Sequence, residues 1–162
     1  MFKKLFGKQH SVKSVCSPVS GNVIPLGEVK DQTFSAGILG EGIAVRPTEG
    51  RIVSPADGIV ETMFQTGHAV SMVTNDGIQL LIHVGIDTVE LKGRFFKAFV
   101  GNGEHVRKGQ QLITFDLTGI AEAGYDTVVP VIVCNSDEYA KVSGTGSGTV
   151  GELDPLLELE SS

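Results

Sequence analysis

Glycine punctuates this chain more than any other residue type. The 162 residues include 21 glycines, and these sit between short apolar runs. Glycine adopts backbone angles that other residues avoid, so this spacing marks turns between short strands and argues against long helices. Two of the turns resemble each other. Ser17-Pro18-Val19-Ser20-Gly21-Asn22-Val23 and Ser54-Pro55-Ala56-Asp57-Gly58-Ile59-Val60 both read Ser-Pro, two residues, Gly, then an apolar strand start. Two copies suggest related half-motifs but do not make a solenoid.

The strand pattern is clearest in one hairpin. Residues 69–73 and 78–84 flank Asn75-Asp76-Gly77, which is strong turn chemistry. Along the second strand Ile78, Leu80, Ile82 and Val84 share a face that reads as core. Gln79, Leu81 and His83 take the other face, so His83 is expected to be exposed beside an exposed Leu81. A four-residue loop at 74–77 would set His68 opposite His83, whereas a two-residue loop would set Val70 there.

Further strands are expected at 95–100, 112–115, 128–134 and 156–159. The stretches 103–110 and 143–151 read as polar and glycine-rich turns. Residues 116–123 suit a short helix, with Asp116 or Thr118 as N-cap and Gly124 as its stop. The expected fold is all-β: a compact antiparallel sandwich or barrel with Greek-key-like connections and one or two short helices. It occupies residues 14–160, after a flexible basic segment at 1–13 and before a tail at 161–162.

Charge and composition limit the function. A net charge of -6 disfavours nucleic acid, which needs a basic face, and favours a partner with a basic surface. No apolar run approaches the ~20 residues of a membrane span. Residues 1–8 mix apolar and basic side chains, as in a weak membrane-surface contact or a frayed terminus. No secretory signal is evident, so a reducing cytoplasm is expected, with Cys16 and Cys134 as small, buried, free thiols.

Four histidines remain. His10 and His105 lie in polar surroundings and read as solvated surface. His68 opens one strand of the hairpin and His83 closes the other, so two imidazoles meet at one end. Such a pair suits phosphoryl chemistry: one ring attacks phosphorus and the other donates hydrogen bonds to its oxygens. It equally suits two hydrogen-bonded structural histidines, or two incidental ligands of a zinc ion that would need a third.

Leu81-Ile82-His83-Val84-Gly85-Ile86-Asp87-Thr88-Val89-Glu90-Leu91-Lys92-Gly93 resembles the active-site signature of the glucose-family enzyme IIA of the bacterial phosphoenolpyruvate-dependent sugar phosphotransferase system. Thr66-Gly67-His68-Ala69 is similar to the family's second-histidine segment. Asp31-Gln32-Thr33-Phe34-Ser35 and Leu39-Gly40-Glu41-Gly42-Ile43-Ala44 are similar to its early loop. The likeness implies a cytoplasmic, monomeric carrier, without cofactor, that accepts a phosphoryl group from the histidine phosphocarrier protein HPr and passes it to a cysteine of a sugar-permease IIB domain. His83 would be the phosphoacceptor, His68 would stabilise the phosphoryl group and Thr66 would orient His68. Phe34, Leu39, Phe64, Leu81 and Val89 would form the docking surface, with Asp31 and Asp87 on its rim and Gly85 allowing close approach. Regulatory target proteins, and zinc at His68 and His83 within such a complex, also follow from the likeness. The alternatives are a zinc hydrolase on a similar β scaffold and a biotinyl- or lipoyl-like carrier domain. Polar Gln32 and Thr33, and basic Arg94, depart from the family pattern.

Overall fold

The structure, a computed structural model, describes residues 11–145 and 148–161. The N-terminal expectations for residues 1–10, including His10 and the membrane-surface segment, lie outside the described residues. In chain order the elements are β1 (Val12–Cys16), β2 (Gly21–Pro25), a 3-10 turn at Leu26–Glu28, α1 (Gln32–Ser35), β3 (Glu41–Pro47), β4 (Arg51–Val53), β5 (Gly58–Met63), β6 (Ala69–Thr74) and β7 (Gln79–His83). Then follow a 3-10 turn at Thr88–Leu91, β8 (Phe96–Ala98), β9 (His105–Val106), β10 (Gln111–Phe115), α2 (Leu117–Glu122), β11 (Val129–Val133), a 3-10 turn at Ser136–Glu138, β12 (Lys141–Gly144), β13 (Thr149–Val150) and β14 (Pro155–Glu160). All pairings are antiparallel, as expected for the sandwich.

The strand order resolves into two units related by a pseudo-twofold axis. The long sheet runs β13-β2-β3-β11-β7-β6-β5-β9, and the two short sheets run β1-β14-β12 and β4-β10-β8. Read from its two ends, the long sheet meets β13 and β9, β2 and β5, β3 and β6, and finally β11 and β7. Registers agree as well as order. Gly21 opposes Pro47 as Gly58 opposes Thr74. Val150 opposes Gly21 as Val106 opposes Gly58. Val131 and Ile82, which pair with each other, are themselves equivalent and mark the axis. One unit is β4 to β10, and it is inserted in the other between β3 and β11.

The repeated Ser-Pro turns join the first two strands of each unit. Ser17 Oγ donates to the Val19 carbonyl at 2.7 Å, and Ser54 Oγ donates to the Ala56 carbonyl at 2.6 Å. Both serines are fully buried, so a lost hydroxyl would strand its partner. Gly21 and Gly58 are required by close approach: a Cβ would stand 2.1 Å from the Arg46 carbonyl oxygen and 2.3 Å from that of Val73.

Between the sheets lies the main core, including Ile52, Met72, Leu80, Ile82, Leu112, Ile113, Leu156 and Leu159. A second cluster lies on the outer face of β3, β11 and β7, where Phe34 of α1 covers Ala44, Ile86, Val128 and Ile132. Strand β11 is therefore buried on both faces, which explains its unbroken apolar run.

Several expectations are corrected. Strand β1 begins at Val12, two residues before Ser14, because Val12 and Lys13 pair with Glu160 and Leu159. Ser161 is tied to Ser11, its N–H donating to that carbonyl at 3.0 Å. The strand expected at 95–100 shrinks to β8, because Phe95 has φ of 82°. The turn stretches at 103–110 and 143–151 contain β9, the end of β12 and β13. Asp116 caps α2 through Gly119 N–H, and Gly124 has φ of 93°, as the helix reading requires. Both cysteines are free, but Cys16 is only partly buried and Cys134 is exposed, since it lies past the end of the twice-covered β11.

Candidate functional site

Alternation along β7 turns Ile82 into the core and His83 outward, as the sequence demands. The hairpin register differs from both sequence options. Ala69, not His68 or Val70, opposes His83, and Val73 opposes Gln79. The loop has three residues: Thr74 and Ile78 still pair, Thr74 N–H donates to the Ile78 carbonyl at 2.9 Å, and Gly77 takes φ of 89°. Thr74 Oγ1 accepts from Ile78 N–H and donates to Asp76, which closes the loop at that length. His68 remains beside His83 because its carbonyl accepts from Val84 N–H at 2.7 Å, continuing the ladder by one residue.

The two rings stand edge to face, with centroids 4.9 Å apart and planes at 80°. His83 is not the exposed side chain expected, and His68 lies deeper still. His68 is 3% exposed and His83 is half-buried, because three phenylalanines close around them. Phe34 lies 5.0 Å from His83, and Phe64 and Phe96 lie 5.4 and 6.4 Å from His68.

Each ring has one nitrogen committed. His83 Nδ1 lies 2.7 Å from the Gly85 carbonyl. A carbonyl only accepts, so Nδ1 carries the proton and Nε2 keeps its lone pair. His68 Nδ1 lies 2.5 Å from Thr66 Oγ1. Burial, reinforced by the neighbouring His83, pushes the His68 pKa down to about 4. Burial also lowers that of His83, opposed by the Gly85 carbonyl and by Asp31 and Asp87. Both imidazoles are neutral at neutral pH, which a nucleophile requires.

The predicted surroundings are mostly brought together. Asp31 caps α1 by accepting from Thr33 N–H at 2.8 Å, and this directs Phe34 onto His83. Leu81 packs beside the Phe34 cluster and is partly buried. Asp87 and Val89 are exposed on the segment after β7. Leu39 lines a separate recess with Cys134, Ser136 and Asp137. Sequence reasoning missed Ile38, which is 70% exposed in the same loop and shares the recess with Leu39. It also missed Phe96, whose only signal was its place after the glycine of the motif segment. His105 is exposed, as expected.

The family model described as phosphoenolpyruvate-dependent sugar phosphotransferase system, EIIA 1, matches residues 13–139. The chain belongs to this family. It is 44% identical over 147 residues, 91% of its length, to the β-glucoside-specific EIIBCA component of Dickeya chrysanthemi. It spans only 23% of that longer protein, so permeases of this kind contain further parts that this chain does not match. It is 41% identical to the glucose-specific EIIA component of Oceanobacillus iheyensis, covering 88% of each chain. Glucose permease IIA from Mycoplasma capricolum superposes with a TM-score of 0.81 at 31% identity, covering 95% of this chain and 97% of the other. EIIA components are phosphoryl carriers, and the all-β EIIA fold is the one seen here. Among the described residues no group of three or more His, Cys, Asp and Glu stands where a metal could be held, and no helix is long and apolar enough to cross a membrane.

Proposed function

We propose that His83 Nε2 is the phosphoacceptor of this EIIA domain, working in the cytoplasm between HPr and the IIB domain of a glucose- or β-glucoside-type permease. The observation that carries the reading is the bond from His83 Nδ1–H to the Gly85 carbonyl, which leaves Nε2 as the free nucleophile beside His68. In the forward step the P–N bond of phosphohistidine on HPr breaks as a new P–N bond forms at Nε2. Little covalent work falls to the protein in so loose a transition state, and positioning with charge stabilisation dominates. With Thr66 as donor to His68 Nδ1, the His68 proton sits on Nε2, and this N–H donates a hydrogen bond to a phosphoryl oxygen. In the onward step a thiolate of IIB attacks phosphorus, and His83 leaves with its Nδ1 proton still held by Gly85.

Phe34, Phe64, Leu81, Leu39 and Val89, with Ile38, form the apolar docking face. It excludes water from the phosphohistidine, while Asp31 and Asp87 meet basic groups of the partner. Exchange among partners requires a small, transient interface, and the domain acts as a monomer. A zinc ion shared with a regulatory target would find only two ligands here and would take its third from that target.

The test is intact mass after incubation with phosphoenolpyruvate, enzyme I and HPr. One added phosphoryl group, acid-labile and absent from His83→Gln, supports the assignment. No gain with an active HPr control sinks it.

A further inference from the structure

We infer that Thr88 is a positioning residue that fixes the Gly85 carbonyl and, through it, the tautomer and aim of His83. The inference rests on the reading of His83 as phosphoacceptor. Thr88 is fully buried and lies one short turn beyond His83. Its Oγ1 donates to the Val84 carbonyl at 2.5 Å, closing residues 84–88 into a hydrogen-bonded loop. Its methyl group lies against Gly85: a Cβ there would stand 2.4 Å from Thr88 Cγ2 and 2.9 Å from the Asp126 carbonyl oxygen. Gly85 holds φ of 80°, and its own N–H donates to the Val128 carbonyl at 2.8 Å.

The peptide between Gly85 and Ile86 is thus gripped from several sides. Thr88 ties the residue before Gly85 and fills the space beneath it, Val128, just before β11, takes the Gly85 N–H, and Ile86 N–H donates to the Asp126 carbonyl at 3.0 Å. The Gly85 carbonyl is left with one direction, toward His83 Nδ1 at 2.7 Å. Asp87, at φ of 60°, lets the chain turn so that Thr88 can reach back. A histidine nitrogen is protonated or free according to the partner of the other nitrogen, so control of this carbonyl is control of the nucleophile. Thr88 acts through Gly85 and not as a ligand of the phosphoryl group.

Two variants separate its two roles. Thr88→Val keeps the methyl and removes the hydroxyl, and Thr88→Ser does the reverse. Phosphoryl uptake from phospho-HPr is timed for each full chain. Nitrogen NMR of the imidazoles reports the His83 tautomer without any phosphoryl transfer. Thr88→Val should slow uptake by about tenfold or more, by analogy with the loss of groups that orient metal-ligating histidines. It should also show His83 with both tautomers populated, while Thr88→Ser keeps the Nδ1–H form and a rate near wild type. Should Thr88→Val not fold, Gly85→Ala presses on the same methyl and must disturb the same tautomer. A folded Thr88→Val that keeps one tautomer and wild-type uptake overturns the inference. If wild type takes up no phosphoryl group, the phosphoacceptor reading fails instead, and the tautomer spectra still decide whether Thr88 positions the ring.

Discussion

The unit from β4 to β10 and the unit of β1 to β3 with β11 to β14 share strand order and register, yet only the first carries the histidines. Counting along the equivalent ladders, His68 falls on Glu41 of the other unit, and His83 falls on Ile132. The strands alone do not explain the difference. In the histidine unit β5 and β6 are joined by residues 64–68, too short to cover the sheet. In the other unit β2 and β3 are joined by residues 26–40, long enough to lay α1 over the outer face. That loop buries Ile132 completely, and its Phe34 reaches across the axis to His83. The duplicated scaffold aims one outward side chain from each central strand, and the connections decide which of the two is roofed over.

The sharpest break of this contrast exchanges activity against stability at the equivalent positions. His83→Gln should abolish phosphoryl uptake, measured by intact mass, and leave urea denaturation almost unchanged. Ile132→Ala should cost about 2–5 kcal/mol in the same denaturation, as for other large-to-small changes in a packed core. The histidine position would prove structural, and the contrast false, if His83→Gln cost as much stability as Ile132→Ala.

How much of this contrast the sequence carried depends on range. The Ser-Pro-x-x-Gly repeat, the inward face of 78–84 and the cap at Asp116 were legible because each rests on local turn chemistry or pleat alternation. The family motifs led to His68, His83 and Thr66 together. The register at His83 was not legible, because the Thr74 hydroxyl, not loop composition, sets the three-residue turn. The burial of His68 and the half-burial of His83 were hidden too. Both come from Phe34, Phe64 and Phe96, whose rings meet the histidines only in the folded sheet. Phe95 broke its strand by taking a positive φ, rare for an aromatic residue; its ring packs toward Gly119, where a Cβ would clash at 2.6 Å.

A smaller effect tests whether the two units are energetically as well as geometrically alike. Ser17→Ala and Ser54→Ala each leave one carbonyl, buried at Val19 and partly buried at Ala56, without its donor. Each should cost about 1 kcal/mol by urea denaturation, a typical net value for a buried hydrogen bond. Matching losses would extend the pseudo-symmetry to energetics. One silent serine beside one costly serine would confine it to backbone shape.

The last effect is a pH dependence that only the histidine unit should impose. His68 is held at about 4 in the fold, whereas a histidine in an unfolded chain titrates near 6.5. Between these values the unfolded chain binds a proton that the folded chain refuses, so acid favours unfolding. The stability is whole above about 6.5 and declines as the pH falls toward the folded value. His83, also lowered by burial, steepens the same slope. Urea midpoints at about pH 7 and pH 5 should therefore converge in the double variant His68→Gln, His83→Gln and stay apart in wild type. If the wild-type slope survives in the double variant, the titrating groups lie elsewhere. The roofless end of the sheet would then carry the chemistry without any cost in acid stability.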